Sequence, residues 1–192
     1  MAGRRVAAGL ALAAIALTAA GCGLGGSTKT VTVTHTVTMT HTVTSRSGRD
    51  SRPCLGTDVG GNFAIVPGSA GAGQISYLLT LKNTSQTPCS VQGLPKATLL
   101  GATGSALPTH VSGGGVPEPR IVLEPGAAAV ATGRFSPDVA GAGDSQSGTC
   151  QPEAHTLEVT PNGGGPTEVP IRPPTSVCEE GTLKFDPYGY AG

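Results

Sequence analysis

Residues 75–83 read ISYLLTLKN, and this stretch decides the fold class. Polar and apolar side chains alternate along it, with Ser76, Thr80 and Lys82 between Ile75, Tyr77, Leu79 and Leu81. A period of two places successive side chains on opposite faces of an extended chain. The stretch therefore predicts a β-strand with one buried face and one exposed face.

Short segments of the same kind recur through the chain, divided by glycine, by proline and by turn signals such as Asn162-Gly163. The predicted strands are Gly61–Val66, Gly73–Asn83, Cys89–Gln92, Lys96–Leu100, Arg120–Leu123, Ala127–Phe135, Ala154–Thr160, Thr167–Ile171 and Thr182–Asp186. No window of a dozen residues combines a 3.6-residue apolar period with helix caps. The pattern predicts an all-β fold: a single antiparallel β-sandwich of immunoglobulin-like architecture over residues 54–192.

Charge and aromatic content exclude several classes of protein. Twelve Lys and Arg balance twelve Asp and Glu, so the formal net charge is zero. Nucleic-acid binding requires a basic face that displaces counterions, and no nucleic-acid partner is expected. Charged residues make up 12 % of the chain, which disfavours coiled coils. Three Phe, three Tyr and no Trp offer little for an aromatic-lined cofactor site, and no cofactor is expected.

Residues 1–21 have the composition of a bacterial lipoprotein signal peptide. Two arginines precede an apolar segment, residues 6–20, that is shorter than the roughly 20 residues needed to span a bilayer. The segment ends in Ala19-Ala20-Gly21-Cys22, which resembles the bacterial lipobox. That resemblance implies cleavage before Cys22 and acyl chains that hold the protein on the extracytoplasmic face of the cell membrane. The alternative is an ordinary signal peptide followed by an unrelated cysteine.

Residues 22–53 are predicted to form a lipidated N-terminus and a low-complexity tether. Threonine occupies every even position from Thr28 to Thr44, and valine occupies half of the odd positions between them; β-branched residues favour an extended chain. Three interpretations remain open: a spacer between membrane and domain, a strand added to a sheet, or a metal site at His35 and His41. On a strand these two histidines would lie about 20 Å apart, so one ion could not bridge them.

Four cysteines follow Cys22, namely Cys54, Cys89, Cys150 and Cys178. An even number in an exported protein predicts disulfide bonds. Spacing alone leaves all three pairings open. Pairing in sequence order is favoured because each bond would then close a loop of about 30–36 residues. No Cys-x-x-Cys motif is present, which gives little support to a zinc ribbon or a redox site.

Ser145 is the candidate nucleophile, since Gly143-Asp144-Ser145 is similar to the context of the reactive serine in some hydrolases. A catalytic triad would require His110 or His155 and a buried carboxylate nearby. The surrounding small polar residues are typical of a loop, and no catalytic residue is predicted. The acidic pair Glu179-Glu180 predicts a solvated turn rather than a metal site, because adjacent side chains on a strand point to opposite sides.

Two of the three tyrosines, Tyr188 and Tyr190, lie near the C-terminus. They allow two interpretations. Either they fix the last strand to the rest of the domain, or they form an exposed contact patch.

Several short motifs occur in a characteristic order and spacing. They are Cys54, Leu79-Thr80-Leu81-Lys82-Asn83-Thr84, Pro88-Cys89, Gly93-Leu94-Pro95, Leu123-Glu124-Pro125-Gly126, Cys150 and Cys178. Over about residues 54–187 the chain resembles an actinobacterial envelope family catalogued as domain of unknown function 4232, many members of which are lipoproteins. The resemblance implies a secreted β-sandwich-like domain with cysteines paired in sequence order, and it implies no activity.

The sequence thus predicts a cell-envelope lipoprotein that displays a non-catalytic binding or structural module. Its partners would be the membrane, through the acyl chains on Cys22, and an envelope polymer or another exported protein. The alternatives are an extracytoplasmic serine hydrolase that uses Ser145, and a metal carrier that uses His35, His41 or His110.

Overall fold

The computed structural model describes residues 51–114 and 118–192. The predicted signal peptide (1–21), the lipidation site Cys22, and the Thr-rich tract with His35 and His41 lie outside these residues. Within them, no helix has both the length and the apolar character required to cross a membrane.

Eleven strands make up nearly half of the described part of the chain. They are β1 Val59–Ile65, β2 Ile75–Asn83, β3 Cys89–Gln92, β4 Lys96–Gly101, β5 His110–Gly113, β6 Arg120–Leu123, β7 Ala128–Phe135, β8 Ala154–Thr160, β9 Thr167–Thr175, β10 Thr182–Phe185 and β11 Gly189–Tyr190. All nine predicted strands are present, with some ends shifted by a few residues. The all-β prediction is therefore confirmed.

Nine of the strands form one large sheet in the order β4-β8-β9-β1-β2-β7-β10-β5, with β11 also paired to β7. This sheet curls until it is nearly barrel-shaped. The remaining strands, β3 and β6, form a separate two-stranded sheet. The immunoglobulin-like sandwich predicted from the sequence is not established by this arrangement.

The prediction of a purely antiparallel sheet was wrong, because the large sheet is mixed. Strand β1 pairs with β9 in parallel, and so does β10 with β5. Strand β5 was missed by the sequence analysis for a physical reason. Its four residues contain a single large apolar side chain, Val111, and the strand lies at an edge of the sheet with three of its residues exposed.

The interior of the curled sheet holds an aromatic cluster formed by four of the six aromatic residues of the chain. Its members are Phe63, Tyr77, Phe135 and Phe185, all 2 % exposed or less. Ring centroids lie 5.2 Å apart for Phe63 and Tyr77, and 5.7 Å apart for Phe63 and Phe185. These separations fall within the range that favours aromatic pairs over simple apolar contact. The cluster joins β1, β2, β7 and β10 across the interior.

Gly133 on β7 leaves the space that the rings of this cluster occupy. It pairs with Tyr77 on one side and with Phe185 on the other. A Cβ atom at this position would lie 2.9 Å from a ring atom of Phe63 and 2.9 Å from one of Phe185. The aromatic cluster therefore requires a residue without a side chain here.

Gly133→Ala is expected to lower the free energy of unfolding by about 1–3 kcal/mol, the usual cost of overpacking a core. Urea denaturation followed by circular dichroism measures the change. Gly71→Ala is the matched control, because a Cβ there meets no atom within 4 Å. Equal effects of the two substitutions would contradict the packing role of Gly133.

Candidate functional site

The segment Ser51–Cys54, where the chain enters the domain, is fixed to strand β3. The Ser90 N–H donates to the Arg52 carbonyl, and the Cys54 N–H donates to the Ser90 carbonyl, both at 2.9 Å. A disulfide bond joins Cys54 to Cys89, and both residues are fully buried. Residues 51–53, which precede Cys54, thus contact the domain as well.

An ion pair between Arg52 and Asp58 closes the same end of the domain. The guanidinium nitrogens Nη1 and Nη2 donate to Asp58 Oδ2 and Oδ1 at 2.6 Å and 2.9 Å. The Leu55 N–H also donates to Asp58 Oδ2, at 2.7 Å. These hydrogen bonds, with Arg52 making the larger contribution, lower the pKa of Asp58 to about 2. The carboxylate is therefore ionised at any ordinary pH and serves as a structural acceptor.

Asp144 forms a second polar centre at the corner between the loop before β8 and the turn before β10. Its carboxylate accepts hydrogen bonds from the Gln151 amide and from the N–H groups of Glu180, Gly141 and Glu179. With Gln151 as the largest cause, these bonds hold the pKa of Asp144 well below its usual range. The carboxylate is saturated by internal donors.

The turn that Asp144 holds is conformationally strained. Glu179 and Glu180 have φ values of 56° and 53°, in the left-handed region that non-glycine residues rarely adopt. Their N–H groups both donate to Asp144, and their side chains are exposed. The acidic pair thus lies in a solvent-facing turn, as the sequence predicted.

Acid should destabilise the domain between about pH 4 and pH 2. The pKa values of Asp58 and Asp144 are lower in the folded protein than in the unfolded chain, so the unfolded state takes up more protons as the pH falls. The contribution of both groups is complete above the unfolded pKa and is lost as the pH falls toward the folded one. The midpoint of urea denaturation at pH 5, 4, 3 and 2.5 measures this loss.

The double variant Asp58→Asn/Asp144→Asn should be less stable at pH 5 and show a flatter dependence on acid. Asp138→Asn, at an exposed position, is the control and should retain the wild-type profile. A double variant with the wild-type acid profile would show that these carboxylates do not produce the effect.

Asp144 also belongs to the one grouping of three potential metal-binding side chains in the described ranges. Its carboxylate and the sulfurs of Cys150 and Cys178 lie within 4.8 Å of one another. The two sulfurs are bonded to each other in a disulfide, however, and metal coordination requires free thiolates. With the carboxylate saturated as well, this group does not fit a metal ion.

The candidate nucleophile Ser145 lies one residue further along the same loop. Its exposed hydroxyl donates to the Ser147 carbonyl at 2.7 Å. His110 is exposed on edge strand β5, and His155 Nε2 on β8 lies 3.8 Å from Glu153 Oε2. The hydroxyl of Ser145 is thus engaged within its own turn.

Each of the two C-terminal tyrosines fits a different one of the two interpretations drawn from the sequence. Tyr188 is 3 % exposed, and its N–H donates to the Gly93 carbonyl at 3.0 Å. Its buried hydroxyl has no hydrogen-bond partner among the described residues, and burial raises the pKa of Tyr188. Tyr190, in contrast, is 64 % exposed. Tyr188 fixes the C-terminal segment to the domain, whereas Tyr190 lies on the surface.

A shallow groove lies on the outer face of the large sheet, between β7 and β10. It is lined by Thr132, Arg134, Lys184 and Asp186. Lys184 lies directly opposite Arg134 in the antiparallel pairing of these strands. Sequence analysis missed this pair of cations, because the two residues are 50 positions apart and only the pairing of β7 with β10 brings them together.

A family model described as "Domain of unknown function (DUF4232)" matches residues 54–188. The chain belongs to the DUF4232 family. Comparisons with curated proteins and with solved structures found no match. The resemblance expected from the sequence is confirmed at the level of this domain family, and the family description assigns no activity.

Several motifs that carry this DUF4232 resemblance meet at one buried side chain, that of Asn83. Its amide nitrogen donates to the carbonyls of Thr87 and Leu123, both at 2.9 Å. Its amide oxygen accepts from the N–H and hydroxyl of Ser85. The Asn83 backbone bonds to Gly126 and Ala127. One residue therefore ties the end of β2 to the loop before Cys89 and to the turn after β6.

Sequence analysis quoted Asn83 in a DUF4232 motif but gave it no role. A signal was available, since Asn83 continues the buried register of Tyr77, Leu79 and Leu81 at the end of β2. A polar side chain in such a position must find internal partners. Its partners lie 2 to 40 residues away along the chain, and spacing alone does not identify them.

Proposed function

We propose that this DUF4232 protein is a cell-envelope lipoprotein. Acyl chains on Cys22 attach it to the extracytoplasmic face of the cytoplasmic membrane, and its domain is displayed there as a non-catalytic binding or structural module. The tether predicted over residues 22–53 serves as the spacer between the two. The domain's partner is an envelope polymer or another exported protein.

The cysteine arrangement carries this proposal. The described domain uses four cysteines in two disulfide bonds, Cys54–Cys89 and Cys150–Cys178. Disulfides of this kind persist in oxidising compartments outside the cytoplasm. The fifth cysteine of the chain, Cys22, directly follows an apolar segment and three small residues. A chain with one cysteine outside its disulfides, at the position where a signal peptide ends, fits lipidation at that cysteine.

The absence of a catalytic role is supported by the way the domain uses its buried polar groups. Asp58 and Asp144 have their carboxylates occupied by internal donors, and Asn83 uses both ends of its amide to join loops. A catalytic group must instead reach a substrate with a free lone pair or proton. These polar centres therefore stabilise the scaffold.

Substitution of Cys22 tests the anchor. The wild-type protein is expected to fractionate with membranes and to carry a diacylglycerol adduct in intact-mass analysis. Cys22→Ala should be released from the membrane or remain unprocessed. Ser27→Ala, a neighbouring small polar residue, is the control and should behave as wild type. Recovery of Cys22→Ala with membranes as a normally cleaved species would overturn the proposal.

A further inference from the structure

Arg134 and Lys184 are an unusual pair on the surface of the large sheet. They lie directly opposite each other on β7 and β10, and both side chains are exposed. Directly opposed residues on antiparallel strands have Cβ atoms about 4.5–5.5 Å apart, and like charges in such positions destabilise the sheet. An arrangement that costs stability in the free protein suggests a role in binding.

The other exposed cations of the sheet are placed differently. Lys82 lies opposite Ala128, Lys96 opposite Thr160 and Arg172 opposite Ala64. Each of these cations therefore faces a small uncharged residue. Within the residues that the structure describes, two cations face each other across a strand pairing only at Arg134 and Lys184.

Among the residues that the structure describes, no carboxylate forms an ion pair with Arg134 or Lys184. The ion pairs within 4.0 Å in the described parts of the chain join Arg52 to Asp58 and His155 to Glu153. Asp186 lines the same groove but lies opposite Thr132, beyond ion-pair distance from both cations. The groove thus holds two positive charges and one negative charge, with a net charge of +1.

Hydroxyl groups continue the row on both sides. Ser76 lies opposite Arg134 on β2, and Ser112 lies opposite Lys184 on β5. Serine, arginine, lysine and serine therefore form one row across four adjacent strands. Ser112 is exposed and Ser76 is buried, so the row offers cationic donors at its centre and an accessible hydroxyl at the Ser112 end.

We propose that Arg134 and Lys184 bind a phosphodiester group of a hydroxyl-rich polymer that lies along this groove. A phosphodiester carries one negative charge, which matches the net charge of the groove. Its two non-bridging oxygens diverge from a tetrahedral phosphorus, so two cations on adjacent strands can each take one oxygen. A carboxylate is planar and is better matched by a single arginine fork.

A polymer is favoured over a membrane surface. The groove is open and shallow, and none of the large exposed apolar side chains, Leu55, Ile65, Val139 and Tyr190, lines it. Docking to a lipid surface relies on inserted apolar groups or on clusters of several basic residues. Placing this polymer in the envelope rests on the proposed function, whereas the binding itself does not.

Binding is tested with the full chain carrying Cys22→Ser, which removes the one cysteine outside the two disulfides. The probe is poly(glycerol phosphate), and its affinity is measured by isothermal titration at about 50 mM salt, where exposed charges are weakly screened. The double variant Arg134→Gln/Lys184→Gln should lose about tenfold in affinity or more, as expected when charge-assisted hydrogen bonds are removed. Lys82→Gln/Lys96→Gln removes the same charge and should change the affinity less than about twofold.

Stability gives an independent readout of the same site. Because the two cations repel each other in the free protein, Lys184→Gln should raise the melting temperature while it weakens binding. If Lys184 served only to stabilise the fold, Lys184→Gln would instead lower the melting temperature.

Three results would overturn the assignment. In the first, the wild-type chain binds no polymer. In the second, the Lys82/Lys96 control loses as much affinity as the Arg134/Lys184 variant. In the third, vesicles of phosphatidylcholine with phosphatidylglycerol bind in preference to the polymer, which assigns the site to a lipid headgroup. Membrane fractionation of Cys22→Ala tests only the lipid anchor, whereas the titrations test only polymer binding. Failure of one proposal can therefore be distinguished from failure of the other.

Discussion

Asn83→Ala is expected to lower the free energy of unfolding by about 3–5 kcal/mol. The substitution removes both donors from the carbonyls of Thr87 and Leu123 and removes the acceptor of Ser85, in a place where Asn83 is fully buried. The bond to Leu123 is buried, and a buried polar group left without a partner costs about 1–3 kcal/mol; the part-buried bonds to Thr87 and Ser85 add smaller losses. For a domain of this size such a loss lowers the melting temperature by roughly 10 °C or more.

Thermal and urea denaturation of the variant measure this loss. Asn62→Ala is the matched control, because Asn62 is exposed on β1 and the same deletion there should change stability by about 0.5 kcal/mol or less. If Asn83→Ala were as stable as Asn62→Ala, the meeting of the family motifs at this side chain would have no energetic importance.

Removal of the disulfide Cys54–Cys89 by double alanine substitution should cost about 3–4 kcal/mol. The bond spans 35 residues, and the chain-entropy treatment gives a loss of this size for the opened loop. Denaturation of the non-reduced protein measures the change.

The second bond, Cys150–Cys178, provides the comparison. It spans 28 residues, so chain entropy alone predicts a nearly equal cost. Cys54 and Cys89 are completely buried, whereas Cys150 is 6 % exposed. We therefore expect the Cys54/Cys89 variant to be the less stable of the two. The reverse order would show that burial of the first bond contributes nothing beyond loop closure.

The strands were predictable because their signal is local. β3, β6 and β8 have the predicted bounds, and β2 was recognised from the alternation of residues 75–83. Alternation fixes which face of a strand is buried, and β7 was predicted as Ala127–Phe135. Ala129 and Ala131 are indeed buried there, where their small size accommodates close packing. The disulfides of the structure likewise have the pairing that short loops favoured.

The pairing of the strands was not predictable in the same way. The parallel neighbours β1 and β9 are about 100 residues apart, and nothing in either segment specifies the other. The groove at Arg134 and Lys184 depends on the pairing of β7 with β10, two strands that are distant in the sequence. The position of His110 at the edge of the sheet likewise depends on the pairing of β5 with β10. Asp144 was quoted only as the neighbour of Ser145. Its role depends on left-handed backbone at Glu179 and Glu180, which sequence patterns do not indicate for non-glycine residues.

The two disulfides also determine how the domain would respond to mechanical tension between its ends. Force that arrives at Cys54 passes through the bridge to Cys89, and force at Cys150 passes directly to Cys178. The bypassed loops contain β1, β2, β8 and β9, and these four strands are consecutive neighbours in the large sheet. A pull between the two ends of the domain therefore cannot extend these four strands, and only the remaining strands can be drawn out.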